Sequence, residues 1–287
     1  MGGSMTSTME QQRQRAEGDF ERFTARVNAL VERHPVVTDN RYCTWFAQGQ
    51  ASAAQVKDLL VQFSVFSNLF IVAQLLKTIN APSLAQSRQS CEILVNELGV
   101  IFNGTRASGI DHDAAGDPAL VATEGTVDGG TYRFGARHFE WLLRVGESVG
   151  LGFDDLGKRR HGTEATLFFC DELARIYGSD DPDLAEGASY AVEHWAAAGF
   201  WKQLIAGLEV YKAQQCPSLR LSFFTWHDRV EANHAAHTDD ELAEAFVRPG
   251  FDEERFCLGA TEMLHAVEVF WNGLDTNRVT LGGAHHG

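Results

Sequence analysis

The sequence predicts an all-α protein, a single domain of roughly eight to ten helices. Three observations carry that reading. Apolar residues recur every three to four positions through all the long segments, and strand-like alternation is nearly absent. The segments are separated by strong breakers such as His34-Pro35, Asn80-Ala81-Pro82 and Cys216-Pro217. Hydrophobic residues make up 44% of the 287 positions, enough for a substantial core in one large domain.

Taken in order, Met1-Gly2-Gly3-Ser4 ahead of Met5 looks like an added leader, and residues 1–18 are expected to be disordered. A first helix is expected over about residues 18–33, with Phe20, Phe23, Val27, Leu30 and Val31 on one side. Pro35 ends it, because a residue before proline resists the α region. A short helix follows near residues 41–48. Ser52 reads as the N-cap of a long helix to about residue 79, whose face includes Leu59, Leu60, Phe63, Phe66, Leu69, Phe70 and Leu75. Ser83 opens the next helix, expected to end near Gly104. Residues 103–130 are rich in glycine and aspartate with little periodicity, a long insert of the kind that is usually functional. The helical pattern resumes at about Thr131 and stops at Gly150. Further helices are expected over about residues 155–177, from Asp181-Pro182 to about 212, from Ser218, over about 239–247, and over about 252–274. The domain proper then spans residues 19–275, and residues 276–287 read as a flexible tail.

The net charge of −15, from 24 basic and 39 acidic residues, argues against nucleic acid or an anionic membrane surface as partner. No uninterrupted apolar run reaches the roughly 18 residues that a membrane span needs. A signal-peptide apolar segment is lacking at the N-terminus. Five scattered cysteines without a Cys-x-x-Cys pair fit a reduced, cytoplasmic setting.

The chemistry concentrates in Phe223-Phe224-Thr225-Trp226-His227-Asp228-Arg229-Val230-Glu231-Ala232-Asn233-His234. His227, Glu231 and His234 are spaced i, i+4, i+7, so on a helix they fall within an arc of roughly 60°. That stripe runs beside Phe223, Phe224 and Val230. Two imidazoles and a carboxylate on a packed face are costly unless something charged compensates them, and a divalent metal does so. Other ligands must come from other helices. Glu97 has Ile93, Leu94, Val100 and Ile101 as its helical neighbours, and His138 has Phe134, Gly135, Trp141, Leu142 and Val145. Glu193 and His194 are adjacent, and the pattern does not separate them. With Glu193, the set is Glu97, His138, Glu193, His227, Glu231 and His234. Mixed nitrogen and hard oxygen donors suit iron or manganese better than structural zinc. A ferritin-like bundle needs Glu-x-x-His twice, and Glu231/His234 and Glu262/His265 both fit that spacing. The intervening 27 residues are too few for the Glu-bearing helix that must lie between them.

Several stretches resemble the haem-oxygenase-like diiron oxidases and oxygenases, relatives of the TenA and PqqC fold. Asn96-Glu97-Leu98-Gly99 resembles that family's first carboxylate helix, and Arg137-His138-Phe139-Glu140-Trp141-Leu142-Leu143 its first histidine segment. Glu193 precedes His227 as the family's mid-chain glutamate does. His227-x3-Glu231-x2-His234 matches the third-helix pattern, and Phe270-Trp271-Asn272-Gly273-Leu274 resembles the end of the last helix. Two departures stand out. Glu231 replaces the usual aspartate, and about forty residues separate Glu97 from His138 where the family has a few, which makes the insert 103–130 a candidate lid. The resemblance implies a haem-oxygenase-like helical bundle holding two Fe(II) ions on those six residues. It implies an O2-dependent enzyme that oxidises a small substrate, an amino acid or amine, by N-oxygenation or oxidative cleavage, with an external electron donor and as a homodimer. The alternatives are a metal-independent enzyme of the same fold, for which Cys170 is the one tempting nucleophile, and a non-catalytic interaction protein.

Overall fold

The structure is a computed structural model that describes the backbone of residues 3–102, 123–127 and 130–283, and the side chains of residues 18–100, 135–229 and 238–282. Its described residues form helices α1 (Gly3–Glu32), α2 (Pro35–Thr38), α3 (Arg41–Phe46), α4 (Ala53–Asn80) and α5 (Leu84–Glu97). Three short strands follow: β1 (Val100–Phe102), β2 (Thr123–Val127) and β3 (Gly130–Phe134). The chain then continues through α6 (His138–Ser148), a 3-10 helix (Arg159–His161), α7 (Glu164–Ile176), α8 (Pro182–Ala197), α9 (Phe200–Gln214), α10 (Ser222–Phe246) and α11 (Glu253–Gly283).

Local chemistry explains where the long helices start. Ser52 caps α4 reciprocally. Its hydroxyl accepts from the Gln55 backbone N–H, and the Gln55 side chain accepts from the Ser52 N–H at 2.8 Å. Ser83 caps α5 through the Gln86 N–H. Pro182 occupies the first turn of α8, and the Asp181 carboxylate accepts from the N–H groups of Asp183 and Leu184. Helices α8 and α11 cross with their backbones in contact. A Cβ added at Gly187 would lie 2.0 Å from the Phe256 carbonyl oxygen, and one at Gly259 would lie 2.1 Å from that of Leu184.

The core lies where α4, α7, α9, α10 and α11 meet. Phe63 of α4 packs on Trp201, Phe223 and Phe224, with ring centroids at 5.5, 6.0 and 5.8 Å. Phe66 packs on Phe169 and Phe270, and Phe70 on Tyr177. Helix α4 is long and apolar enough to cross a bilayer, with a window of mean hydropathy 1.9. Its partners are those of a core helix. Leu59, Leu60 and Phe63 are buried, and Gln62 and Gln74 are buried with their amides hydrogen-bonded to His161 and Ser90.

Several boundaries differ from expectation. Helix α1 starts at Gly3, so the stretch 3–18, expected to be disordered, is helical. It is rich in Glu, Gln, Arg and Met with no proline, and a formed helix extends through such residues at little cost. At the other end α11 runs on to Gly283 rather than stopping at 274. Its last turns are held by the Gln55 amide, which donates to the Arg278 carbonyl at 2.8 Å, and by Arg278 stacked 4.6 Å over the Trp45 ring. The helix expected over 181–212 is two, α8 and α9, divided at Gly199, whose φ of 105° no helix accommodates. Conversely, the two helices expected over 218–247 are one, because no Gly or Pro lies between Pro217 and Pro249. The helix expected from residue 155 starts at Glu164, capped by Thr163.

The remaining difference bears on the site. No strand was expected, yet β1 and β3 pair antiparallel, Val100 opposite Phe134, and β2 pairs with β3 from the other side, Thr123 opposite Phe134. β3 stands where a helix was expected from Thr131. Residues 103–122 and 128–129, most of the candidate lid, lie outside the described residues.

Candidate metal centre

Glu97 is the last residue of α5, and His138 the first of α6. Between them the chain makes a closed stem. Gly99 turns the backbone with φ of 68°, and its carbonyl accepts from the Gly135 N–H at 2.7 Å. The approach is so close that a Cβ at Gly99 would sit 2.6 Å from the Gly135 oxygen. The β1–β3 ladder begins at the next pair. Both ends of the insert therefore emerge side by side, and His138 Nδ1 lies 3.0 Å from Glu97 Oε1. Both side chains are largely buried, 12% and 17% exposed, so the contact is sheltered rather than a surface pair.

His227 arrives from the first turns of α10. Its ring centroid is 5.2 Å from that of His138. The two imidazoles share an aromatic box. Trp226 lies 4.7 Å from His138 and 4.9 Å from His227, Trp141 lies 5.4 Å from His138, Trp201 stacks on His227 at 4.9 Å, and Phe223 lies 4.3 Å from it. A carboxylate cannot donate, so His138 presents Nδ1–H to Glu97. His227 likewise donates from Nδ1 to the Phe223 carbonyl, at 2.7 Å. In the neutral imidazole, both rings then carry the lone pair on Nε2, the tautomer that metal ligation requires.

Glu193 and its competitor His194 separate on α8. His194 stacks on Tyr190 at 3.8 Å, and its Nε2 lies 3.3 Å from Asp239, toward the far half of α10. Glu193 is half-buried, and its charge reaches the hydroxyl of Tyr177. That phenol is fully buried and donates to the Gln74 side chain at 2.7 Å. Burial pushes it well above its ordinary range, and the charges of Glu193, Glu241 and Glu97 push it further. Carboxylates from α8, α10 and α5 thus all add to the shift of one buried hydroxyl.

The structure therefore sets Glu97 against His138 and His138 beside His227, while the charge of Glu193 acts on Tyr177. Glu231 and His234 stand on α10, one and two turns beyond His227, but their side chains lie outside the described residues. Among the described residues, no three His, Cys, Asp or Glu side chains are close enough together to hold one ion. The donors fit iron by type, being imidazole nitrogen and carboxylate oxygen without sulfur. The buried indole N–H groups of Trp141, Trp195, Trp201 and Trp271 have no acceptor among the described residues.

The other candidates point elsewhere. Glu262 pairs with Arg175 at 2.7 Å, and the His265 side chain is 64% exposed, so the second Glu-x-x-His faces away from the candidate centre. Burial, then the charge of Asp171, raises the Cys170 thiol to about 12, the reverse of what a nucleophilic thiolate needs. Sequence reasoning missed Tyr177, which reads as an ordinary core tyrosine, and Glu241. The signal for Glu241 was present. It lies fourteen residues past His227, close to four helical turns, and so on the same stripe. Ending the helix early concealed it.

No family model matches the sequence, and no curated protein resembles it significantly. Solved structures do. A CADD-like protein of unknown function from Nostoc punctiforme PCC 73102 superposes with a TM-score of 0.60 at 18% identity, over 91% of this chain and 96% of that one. A domain of unknown function with a heme oxygenase-like fold from Shewanella denitrificans OS217 gives 0.54 at 14% identity, over 91% and 92%. A TenA homologue protein from P. horikoshii OT3 gives 0.53 at 11% identity, over 88% and 99%. The chain has the haem-oxygenase-like all-α fold.

Proposed function

We propose that this chain is a non-haem diiron oxidase or oxygenase that uses O2 to oxidise a small substrate, an amino acid or amine. The observation that carries the reading is the meeting of Glu97, His138 and His227, from α5, α6 and α10, in one sheltered interior. The residues that would hold the metals are Glu97, His138, Glu193, His227, Glu231 and His234. Two ferrous ions, when bound, supply the electrons that reduce O2, and an external donor restores them.

The chain's own contribution is position and environment. Glu97 and the Phe223 carbonyl fix the imidazole tautomers, so His138 and His227 present Nε2 without reorganising. Trp141, Trp201, Phe223 and Trp226 exclude water around them, and in such surroundings charge interactions are stronger than in solution. Glu97 and Glu193 supply negative charge that a pair of cations offsets. A metal-independent thiol enzyme is less well supported, because the thiol of Cys170 is buried and held protonated.

The test is anaerobic reconstitution with Fe(II), followed by O2. Uptake of about two irons per chain, with a transient absorbing species after O2, is the expected result. Absence of bound iron after reconstitution overturns the reading.

A further inference from the structure

A file of aromatic rings runs from the candidate metal centre to the surface. Trp201, stacked on His227 at 4.9 Å, lies 4.5 Å from Phe200, its neighbour on α9. Phe200 stacks on Trp195 of α8 at 4.5 Å, with the ring planes 5° apart, and lies 5.5 Å from Trp271 of α11. Trp195 and Trp271 are themselves 6.3 Å apart. Tyr42 of α3 then stands 5.7 Å from Trp271 and 5.5 Å from Trp45, and Trp45 is half-buried. These centroid separations are those of rings in contact.

Packing alone asks only for size and shape, which phenylalanine or leucine supplies. Four of these positions carry indole, which is among the most readily oxidised side chains. The N–H groups of Trp201, Trp195 and Trp271 are buried and have no acceptor among the described residues. An indole that loses an electron there has no partner to take its proton, so the positive charge stays on the ring until the next indole neutralises it. Burial also disfavours a cation, so that charge is more stable at Trp45, which water reaches. The Arg278 guanidinium over the Trp45 ring is offset by Asp275 at 2.6 Å.

We propose that these indoles form an electron relay that discharges the centre when it is oxidised without substrate. The proposal rests on the oxidase reading for the source of oxidising equivalents, while the relay itself is independent of it. Trp201 gives one electron to an iron centre that O2 has oxidised. Trp195, Trp271 and Trp45 replace that electron in turn, with Phe200 and Tyr42 as bridges. Trp45 ends one electron short and loses its N–H proton to water. A hydrogen atom from a soluble thiol restores it, and the thiol goes on to a disulfide. Indoles yield electrons only to strong oxidants, so ordinary re-reduction of ferric iron bypasses the chain.

The test maps added oxygen by peptide mass spectrometry in the full chain, in two arms without thiol. The first exposes iron-reconstituted protein to O2 with catalase present and no substrate. The second uses metal-free Thr225→Cys in a Cys91→Ser background. A ruthenium polypyridyl photo-oxidant attached at that exposed position of α10, two residues before His227, is flashed with a sacrificial quencher. Oxidation of Trp45 is expected in both arms. Trp271→Phe and Trp195→Phe should each lower it several-fold and move the oxygen inward to Trp201. Trp45→Phe, a change at a half-buried site, should leave the melting temperature near wild type and move the oxygen to Trp271. Trp226, half-buried beside both imidazoles, is the competing outlet. Oxygen confined to Trp226 and Trp201, or Trp45 oxidation indifferent to Trp271→Phe, overturns the relay. Photo-driven oxidation of Trp45 without iron uptake sinks the oxidase and leaves the relay, and iron uptake without Trp45 oxidation in either arm does the reverse.

Discussion

His138 Nδ1 lies 3.0 Å from Glu97 Oε1, although 41 positions separate the two residues. The antiparallel β1–β3 ladder cancels that distance. It pairs Val100 with Phe134, and continuing the same register places 97 opposite 137. The described strands thus form a stem with Glu97 and His138 at its base. Replacing Gly99 by Ala should damage the site at a distance, since φ of 68° and the 2.6 Å approach to the Gly135 oxygen both exclude a Cβ. The expected cost is about 1–3 kcal/mol of stability, read by thermal melting, together with reduced iron uptake. Normal iron content in Gly99→Ala would show that the stem does not position the ligands.

The separation of His227 from His194 and His265 gives a three-way comparison. Loss of a direct ligand should exceed the roughly 10- to 100-fold affinity loss typical of outer contacts, so His227→Ala should abolish iron retention on a desalting column. His194→Ala and His265→Ala should retain iron, because one side chain faces Tyr190 and Asp239 and the other is 64% exposed. Equal iron loss in all three would point to general destabilisation instead.

Cysteine reactivity has a definite sign. The Cys170 thiol is raised from its ordinary 9.0 to about 12 by burial first and the Asp171 charge second. The protonated form is the one the fold favours. Its stabilising effect is complete below the unfolded value and is lost as pH rises through about 9 toward 12. At pH 8 roughly one molecule in ten thousand carries the thiolate. Iodoacetamide at that pH should label exposed Cys91 rapidly and Cys170 only after denaturant is added. Prompt labelling of Cys170 in the folded chain would restore the nucleophile alternative.

Two glycines should differ in a measurable way. Gly199→Ala meets no atom within 4 Å and costs only the strain of φ at 105°, about 1 kcal/mol. Gly187→Ala drives a Cβ to 2.0 Å from the Phe256 carbonyl and must push α8 off α11, at about 3 kcal/mol. Denaturant midpoints should rank wild type, Gly199→Ala and Gly187→Ala in falling order. A reversed order for the two variants would refute the close crossing.

Much of this was readable from residue order, because the signals involved are local. Apolar residues at helical spacing show the core faces, and Ser52, Ser83 and Asp181-Pro182 mark helix starts, since each satisfies N–H groups within its own first turn. That His227, Glu231 and His234 lie within two turns of one helix is legible for the same reason. What only the tertiary structure decided is everything that depends on segments distant in the chain. The β1–β3 ladder brings Glu97 to His138, packing on Tyr190 fixes His194 toward Asp239, and the Gln55 bond to Arg278 carries the last helix to Gly283. A side chain's periodicity records which face of its own element it occupies. What that face meets depends on how the other elements pack, and no local pattern carries that information.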